Sequence, residues 1–150
     1  MKWAVHLLRT PQIRHNRTGL EGLKLWAEEM TQEQYFPAGD GEVLGHRYVS
    51  AAVNMTMLRD HCLAEPFLRQ AAEDERDFQP ELSQAADCYS TVKRIRASMD
   101  EIMSDNFSEK AMQAISDPEA RQAYADKILQ IRDQEAQAAG WIECLLERCG

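Results

Sequence analysis

YADKILQIRDQEAQAAGWIECLLER, residues 124–148, decides the fold. Apolar side chains recur in it at alternating steps of four and three: Tyr124, Ile128, Ile131, Ala138, Ile142 and Leu145. That is the period of one face of an α-helix. Between Ile131 and Ala138 the series passes through Glu135. A carboxylate on the core side of an apolar stripe must find a partner, hold a proton or reach water. Glu135 is therefore the first candidate for chemistry or specificity in the chain.

Working outward, Asp117 followed by Pro118 reads as a helix cap and first helical position, which starts this last helix. Gly140 interrupts it and is expected to let another helix approach closely. Pro80 opens a preceding helix whose stripe is Leu82, Ala85, Ala86, Tyr89, Val92, Ile95, Met99 and Ile102. A turn at Asp105 and Asn106 and a brief helix over 107–115 join the two. A long helix is predicted over 43–77, with Val49, Ala52, Val53, Leu58, Cys62 and Leu63 as its apolar content. Pro66 inside it predicts a kink or break between residues 62 and 65. Residues 31–41 hold Pro37, Gly39 and Gly41 and read as a loop, with Tyr35 and Phe36 folded back onto the core. Thr18 and Glu21 have the spacing of a capping box before a helix through Leu20, Leu23, Leu25, Trp26 and Met30.

Trp3, Val5 and Leu7 alternate with polar or small residues, so residues 1–17 are expected as an extended arm or short strand. A helix across Leu7 and Leu8 is the alternative, and Pro11 bounds either. The expected architecture is all-α: an antiparallel bundle of four main helices plus a short fifth over 18–150, with the extended N-terminal arm over 1–17.

A chain of 150 residues fits one domain and needs no metal or disulfide staple. Its 44% apolar and 28% charged residues are an ordinary globular balance. The net charge of -8 argues against a general nucleic-acid binder. Arg9, Arg14, His15 and Arg17 form a short basic cluster, read as a solvated arm or an intrachain ion pair, with contact to one phosphate or carboxylate as the alternative. No run of 18 apolar residues exists, so no membrane span is expected. The apolar part of residues 1–8 is too short for a secretory signal, and a cytoplasmic setting is expected. Cys62, Cys88, Cys144 and Cys149 are scattered and form no CxxC pair, which reads as reduced thiols.

Asn54, Arg59, Asp60 and His61 lie just before the expected break, and Asn54 and His61 share a helix face. Arg59 is expected to meet Glu135. A buried salt bridge that fixes register is one outcome, a pocket for a polar small molecule another. The ligand-binding candidates are Trp26, Asn54, Arg59, His61, Tyr89, Glu135 and Trp141, with Trp3 also placed to line such a cavity. Met55, Met57, Met99, Met103 and Met112 fit adaptable packing or a small apolar pocket. No catalytic residue is assigned; in the rival enzyme reading Glu135 is the acid–base group and His61 the other candidate. His61 and Cys62 point about 100° apart on a helix, so a Cys–His site needs Cys88, His46 or His15 across the bundle. Glu42 and His46 form one Glu-x-x-x-His pair without a second copy, and HExxH is absent, so no metal is expected. The stretch from Gly19 to Gly22 lacks phosphate-loop spacing, and no cofactor is expected. Glu28, Glu29 and Glu33 read as a solvated face. So do Glu73, Asp74, Glu75 and Asp77, which alternatively present an acidic surface to a basic partner.

Several segments taken together carry a resemblance: Arg14-His15-Asn16, then Gly19-Leu20-Glu21-Gly22-Leu23 and Trp26-Ala27-Glu28, then Phe67-Leu68, and the closing helix from Glu135 to Glu143 with Ala138 and Ile142. The pattern is similar to the helical region of butirosin biosynthesis protein H-like proteins, which are cysteine-peptidase-like acyltransferases, over about residues 10–148. In that family the nucleophilic cysteine belongs to a papain-like part that precedes this region and is absent here. The resemblance implies a helical accessory or substrate-shaping domain, and no family catalytic residue maps onto a position of this chain.

The leading expectation is thus a non-catalytic helical binding or accessory domain accommodating a small, partly apolar ligand. It is expected to self-associate, as a dimer in the simplest case, and to meet a small-molecule or protein partner. A small enzyme using Glu135 is one alternative. A protein-interaction adaptor, using the arm and the acidic segment over 73–77, is the other.

Overall fold

Side-chain caps start three of the seven described helices. Asp40 accepts a hydrogen bond from the Val43 amide at 3.1 Å, Ser108 from Ala111 at 3.2 Å and Asp117 from Glu119 at 3.0 Å, each satisfying an amide that the first turn leaves unpaired. The computed structural model describes residues 1–103 and 108–149. Within them lie α1 (Lys2–Arg9), a hairpin of β1 (Gln12–Ile13) and β2 (Asn16–Arg17), α2 (Gly19–Met30), α3 (Gly41–His61), α4 (Ala64–Asp74), α5 (Gln79–Ile102), α6 (Glu109–Ser116) and α7 (Pro118–Arg148). Single 3₁₀ turns over Glu33–Tyr35 and Arg76–Phe78 complete the described elements. The protein is all-α in class and its main helices form an antiparallel bundle. The expected turn at Asp105 and Asn106, and Phe107 with it, lie outside the described residues.

The helix predicted over 43–77 is broken at Cys62 and Leu63, where the chain leaves α3 and enters α4. Pro66 sits in the first turn of α4, where its missing N–H costs no helical bond. The N-terminus departs from the arm expected over 1–17. Residues 2–9 are helical, extended pairing is confined to the two-residue strands, and Val5 is buried. Packing one face of α1 on the bundle outweighs the local alternation that suggested a strand. The capping box does not form either. The Thr18 hydroxyl donates instead to the Thr10 carbonyl at 2.8 Å, tying the hairpin to the end of α1.

α5 and α7 are the shared spine. At 31 residues α7 is about 46 Å long, enough to serve two cores in succession. One core is built by Ala27 and Met30 of α2, Tyr48, Met55 and Leu58 of α3, Val92 and Met99 of α5, and Tyr124, Ile128 and Ile131 of α7. The other is built by Val5 of α1, Leu68 and Ala72 of α4, Leu82, Ala85 and Ala86 of α5, and Ala138, Ile142 and Leu145 of α7. Leu82 shares a core with Leu145, and Met99 with Tyr124, so α5 and α7 run antiparallel. Each fully buried Ile, Val or Leu contributes about 1.5–3 kcal/mol. Gly140 lies within an unbroken α7, and a Cβ there would meet nothing within 4 Å, so it is not the site of close helix approach expected from the sequence.

Glu135 falls on α7 between Ile131 of the first core and Ala138 of the second. Tyr89 of α5 packs on both. The break between α3 and α4, and the hairpin between α1 and α2, also fall where the chain passes from one core to the other. The site is at this seam.

A candidate ligand cleft at the seam between two cores

α7 delivers Glu135 to the seam with 0% exposure, and α3 ends there with His61. His61 Nδ1 lies 2.5 Å from Glu135 Oε1. The His61 side chain remains 39% exposed while that of Glu135 is fully covered, so the imidazole is the face the pair presents to solvent. The hydrogen bond to Glu135 raises the His61 pKa above its ordinary value against the opposing effect of burial, with the charges of Glu135 and Asp60 adding to the rise. Glu135 Oε2 is buried and accepts no hydrogen bond among the described residues. Behind the pair, burial first and the Glu135 charge second push the Tyr89 phenol well above its ordinary pKa, so it stays protonated.

Above His61 opens a cleft of about 610 Å³. Ser50, Asn54, Met57, Leu58 and His61 form its α3 wall, and Leu23, Leu25, Trp26 and Glu29 its α2 wall. His15, Asn16 and Arg17 of the hairpin close one end. The hairpin turns through Arg14, whose φ of 56° is the left-handed conformation usually left to glycine. Trp26 stands edge-on to Tyr124 with ring centroids 5.9 Å apart, which fixes the orientation of that wall. The lining is an apolar body with a few convergent polar groups, as small-molecule sites commonly are.

Of the residues singled out in the sequence, Trp26, Asn54, His61 and Glu135 meet in this cleft. Tyr89 stands behind it, among the side chains packed on both cores. Arg59 is exposed, and His61 rather than Arg59 meets Glu135. The last turn of α3 directs residue 61, not 59, toward α7. Trp141 packs on the second core and Trp3 is exposed on α1, so neither lines the cleft. Cys62 holds its thiol against the Leu58 carbonyl at 3.7 Å, and burial raises its pKa, so it stays a protonated thiol. No three His, Cys, Asp or Glu side chains among the described residues converge as a metal ion requires.

The basic cluster, expected as a solvated arm or an intrachain ion pair, supplies both: Arg9 pairs with Glu143 at 2.9 Å, and His15 and Arg17 are exposed and also line the cleft. Arg121 was not singled out at all. Its side chain is 1% exposed; Nε donates to the Met30 carbonyl and Nη1 to the Ile115 carbonyl, each at 3.1 Å, and Nη2 pairs with Glu33. Its guanidinium also stacks 4.4 Å from the Phe36 ring centroid. Glu33, expected on a solvated face, is thus half of an ion pair, and Glu29 lines the cleft.

The fold and site together define an all-α protein with a cleft floored by a buried carboxylate and an oriented histidine. Compared with protein-family models, curated proteins and solved structures, the chain matches none. No helix among the described residues is long and apolar enough to cross a membrane.

Proposed function

We propose that this chain is a binding domain whose cleft takes a small amphipathic molecule. The apolar body would lie on Leu25, Trp26, Met57 and Leu58, and a polar group would meet Asn54 and His61. The observation that carries this reading is the sealed Glu135 carboxylate orienting a half-exposed His61 at the floor of the cleft. A carboxylate whose only purpose was to pin helix register has no need of an open cavity beside its partner. The accessory-domain role implied by the family resemblance is compatible with this reading and adds no residue to it.

Proton-coupled resonance spectra of the labelled protein, titrated with fragment-sized alcohols, amides and carboxylic acids that carry one aromatic ring, test the reading. Shifts confined to residues 15–29 and 50–61, and at least tenfold weaker binding in Asn54→Leu, are the expected result. Binding that ignores Asn54→Leu, or shifts scattered over the whole surface, would overturn it. Asn54 takes no part in the pair at the seam, so the variant retains the fold.

The same pair supports a second reading as an acid–base site. Because Glu135 is sealed, a substrate would meet His61, and Glu135 would act as its positioning residue by holding Nδ1 and leaving Nε2 on the open side of the ring.

A further inference from the structure

α3 is apolar on two opposite sides. Leu44, Tyr48, Ala51, Met55 and Leu58 are buried in the first core. On the far side Val49, Val53 and Met57 are 42%, 54% and 60% exposed. At 100° per residue these three fall within about 40° of one line along the helix, at successive steps of four. Glu42 and His46 stand on the same line toward the N-terminus and Asp60 toward the C-terminus, all exposed. Scattered exposed apolar residues need no explanation, but an ordered ridge ending in charged groups is the pattern of a contact surface with a polar rim.

We propose that this outer face of α3 docks on the same face of a second copy, antiparallel, about a two-fold axis through Val53. Residues equally far before and after Val53 then meet. Val49 packs on Met57 of the other copy, and the His46 ring, which stands 4.0 Å from Glu42 of its own chain, comes opposite the other copy's Asp60 carboxylate as a hydrogen-bond donor, while Glu42 lies beyond the apolar contact opposite Ala64. A parallel pairing would set Asp60 against Asp60 and Glu42 against Glu42, which is repulsive. The antiparallel pairing also opposes the two helix dipoles, placing the positive N-terminal end of each α3 beside the negative C-terminal end of the other. From Glu42 to Asp60 the ridge runs about 27 Å, the length of a substantial helix-pair interface. An isologous contact of this kind closes on itself as a dimer instead of growing into a filament. Ser50 and Met57 belong to both the ridge margin and the cleft wall, so the second copy comes to lie along the mouth of the cleft.

Sedimentation velocity of the full chain over a range of concentrations tests this, with circular dichroism confirming that each variant is folded. The wild type is expected to be dimeric. Val53→Glu, which places two like charges on the axis, is expected to weaken the dimer by at least thirtyfold, a loss of about 2 kcal/mol. His46→Glu and Asp60→Lys, each expected to weaken it alone, are expected to restore it when combined. A wild type that is monomeric at its highest soluble concentration would overturn the proposal. So would a dimer indifferent to Val53→Glu, and a double variant no better than its parents would overturn the antiparallel register. Fragment binding by a monomeric Val53→Glu variant would leave the ligand reading standing, so the two proposals fail separately.

Discussion

Arg121 takes its charge almost wholly out of water, and what it meets there explains why. The last turn of α2 leaves the Met30 carbonyl without a helical partner, and the end of α6 leaves that of Ile115; the guanidinium donates to both. Glu33 neutralises it from a more exposed position, and Phe36 covers one face. Arg121→Met keeps the apolar stem and removes the donors, leaving two carbonyls unpaired in a closed environment. A loss of roughly 3 kcal/mol is expected. For a chain of this size that lowers the melting temperature by about 10 °C. Glu33→Gln, altering only the outer partner, is expected to cost much less. Calorimetry of the two variants decides the matter, and equal losses would mean that the ion pair, not the carbonyl contacts, holds the arginine. The alternating steps that place Tyr124 and Glu135 on the core side also place Arg121 there, three residues before Tyr124. The signal was present, but an arginine at the end of a stripe reads as the point where the stripe leaves the core. Glu135 was legible because apolar neighbours flank it on both sides. Its partner was not, since which of Arg59 and His61 faces α7 depends on where α3 stops, and boundaries are the least determined property of a helical pattern.

Two glycines at the scale of the element are expected to respond with opposite sign. Gly19 begins α2 with φ +56°, and a Cβ there would stand 2.1 Å from the Leu8 carbonyl oxygen. α1 and α2 can meet at the hairpin only because that atom is missing. Gly19→Ala must both strain the backbone and push α1 away, a loss of about 2 kcal/mol or more. Limited proteolysis should then cut near residues 9–18 in the variant and not in the wild type. Gly140 sits inside α7 with open space around its missing Cβ, so Gly140→Ala is expected to stabilise by about 0.5–1 kcal/mol. Denaturant melts of both variants check the pair, and destabilisation by Gly140→Ala would show a helix packed where the structure has none. The elements themselves were largely readable: Pro66, Pro80 and the cap at Asp117 each act through local chemistry that needs no tertiary context. α1 was legible only as the alternative to an extended arm, because eight residues are too few to hold a helix alone; it is held by docking Val5 on the second core and by Arg9 on Glu143.

The whole molecule is two cores on a common pair of helices, and the seam between them holds a titrating histidine. That couples stability to pH in a definite direction. His61 has a folded pKa above its unfolded value near 6.5, so its contribution is fully present below about pH 6.5 and is lost as pH rises through the folded value. The groups that set it are Glu135 across the seam, first through its hydrogen bond, and Asp60 on its own helix, against the opposing effect of burial. Cys62 and Cys88, whose thiols burial holds above their ordinary pKa, act in the same direction, but only above about pH 8.5 where an unfolded thiol begins to ionise. On the acid side, Glu81 is held below the ordinary carboxylate value by its backbone hydrogen bond and Arg148, and Glu143 by Arg9, so their contributions fade as pH falls through the folded values. Stability is therefore expected to peak between roughly pH 5 and 6.5 and to decline toward pH 8. His61→Asn places an amide nitrogen near the position of Nδ1, so it retains a donor for Glu135 without a titrating group. In that variant the decline between pH 6.5 and 8 should flatten while the steps above pH 8.5 and on the acid side persist. Urea melts at closely spaced pH values would show this. A slope unchanged by the substitution would mean that the pair does not change protonation across this range, and the imidazole would then be a neutral donor to Glu135 throughout.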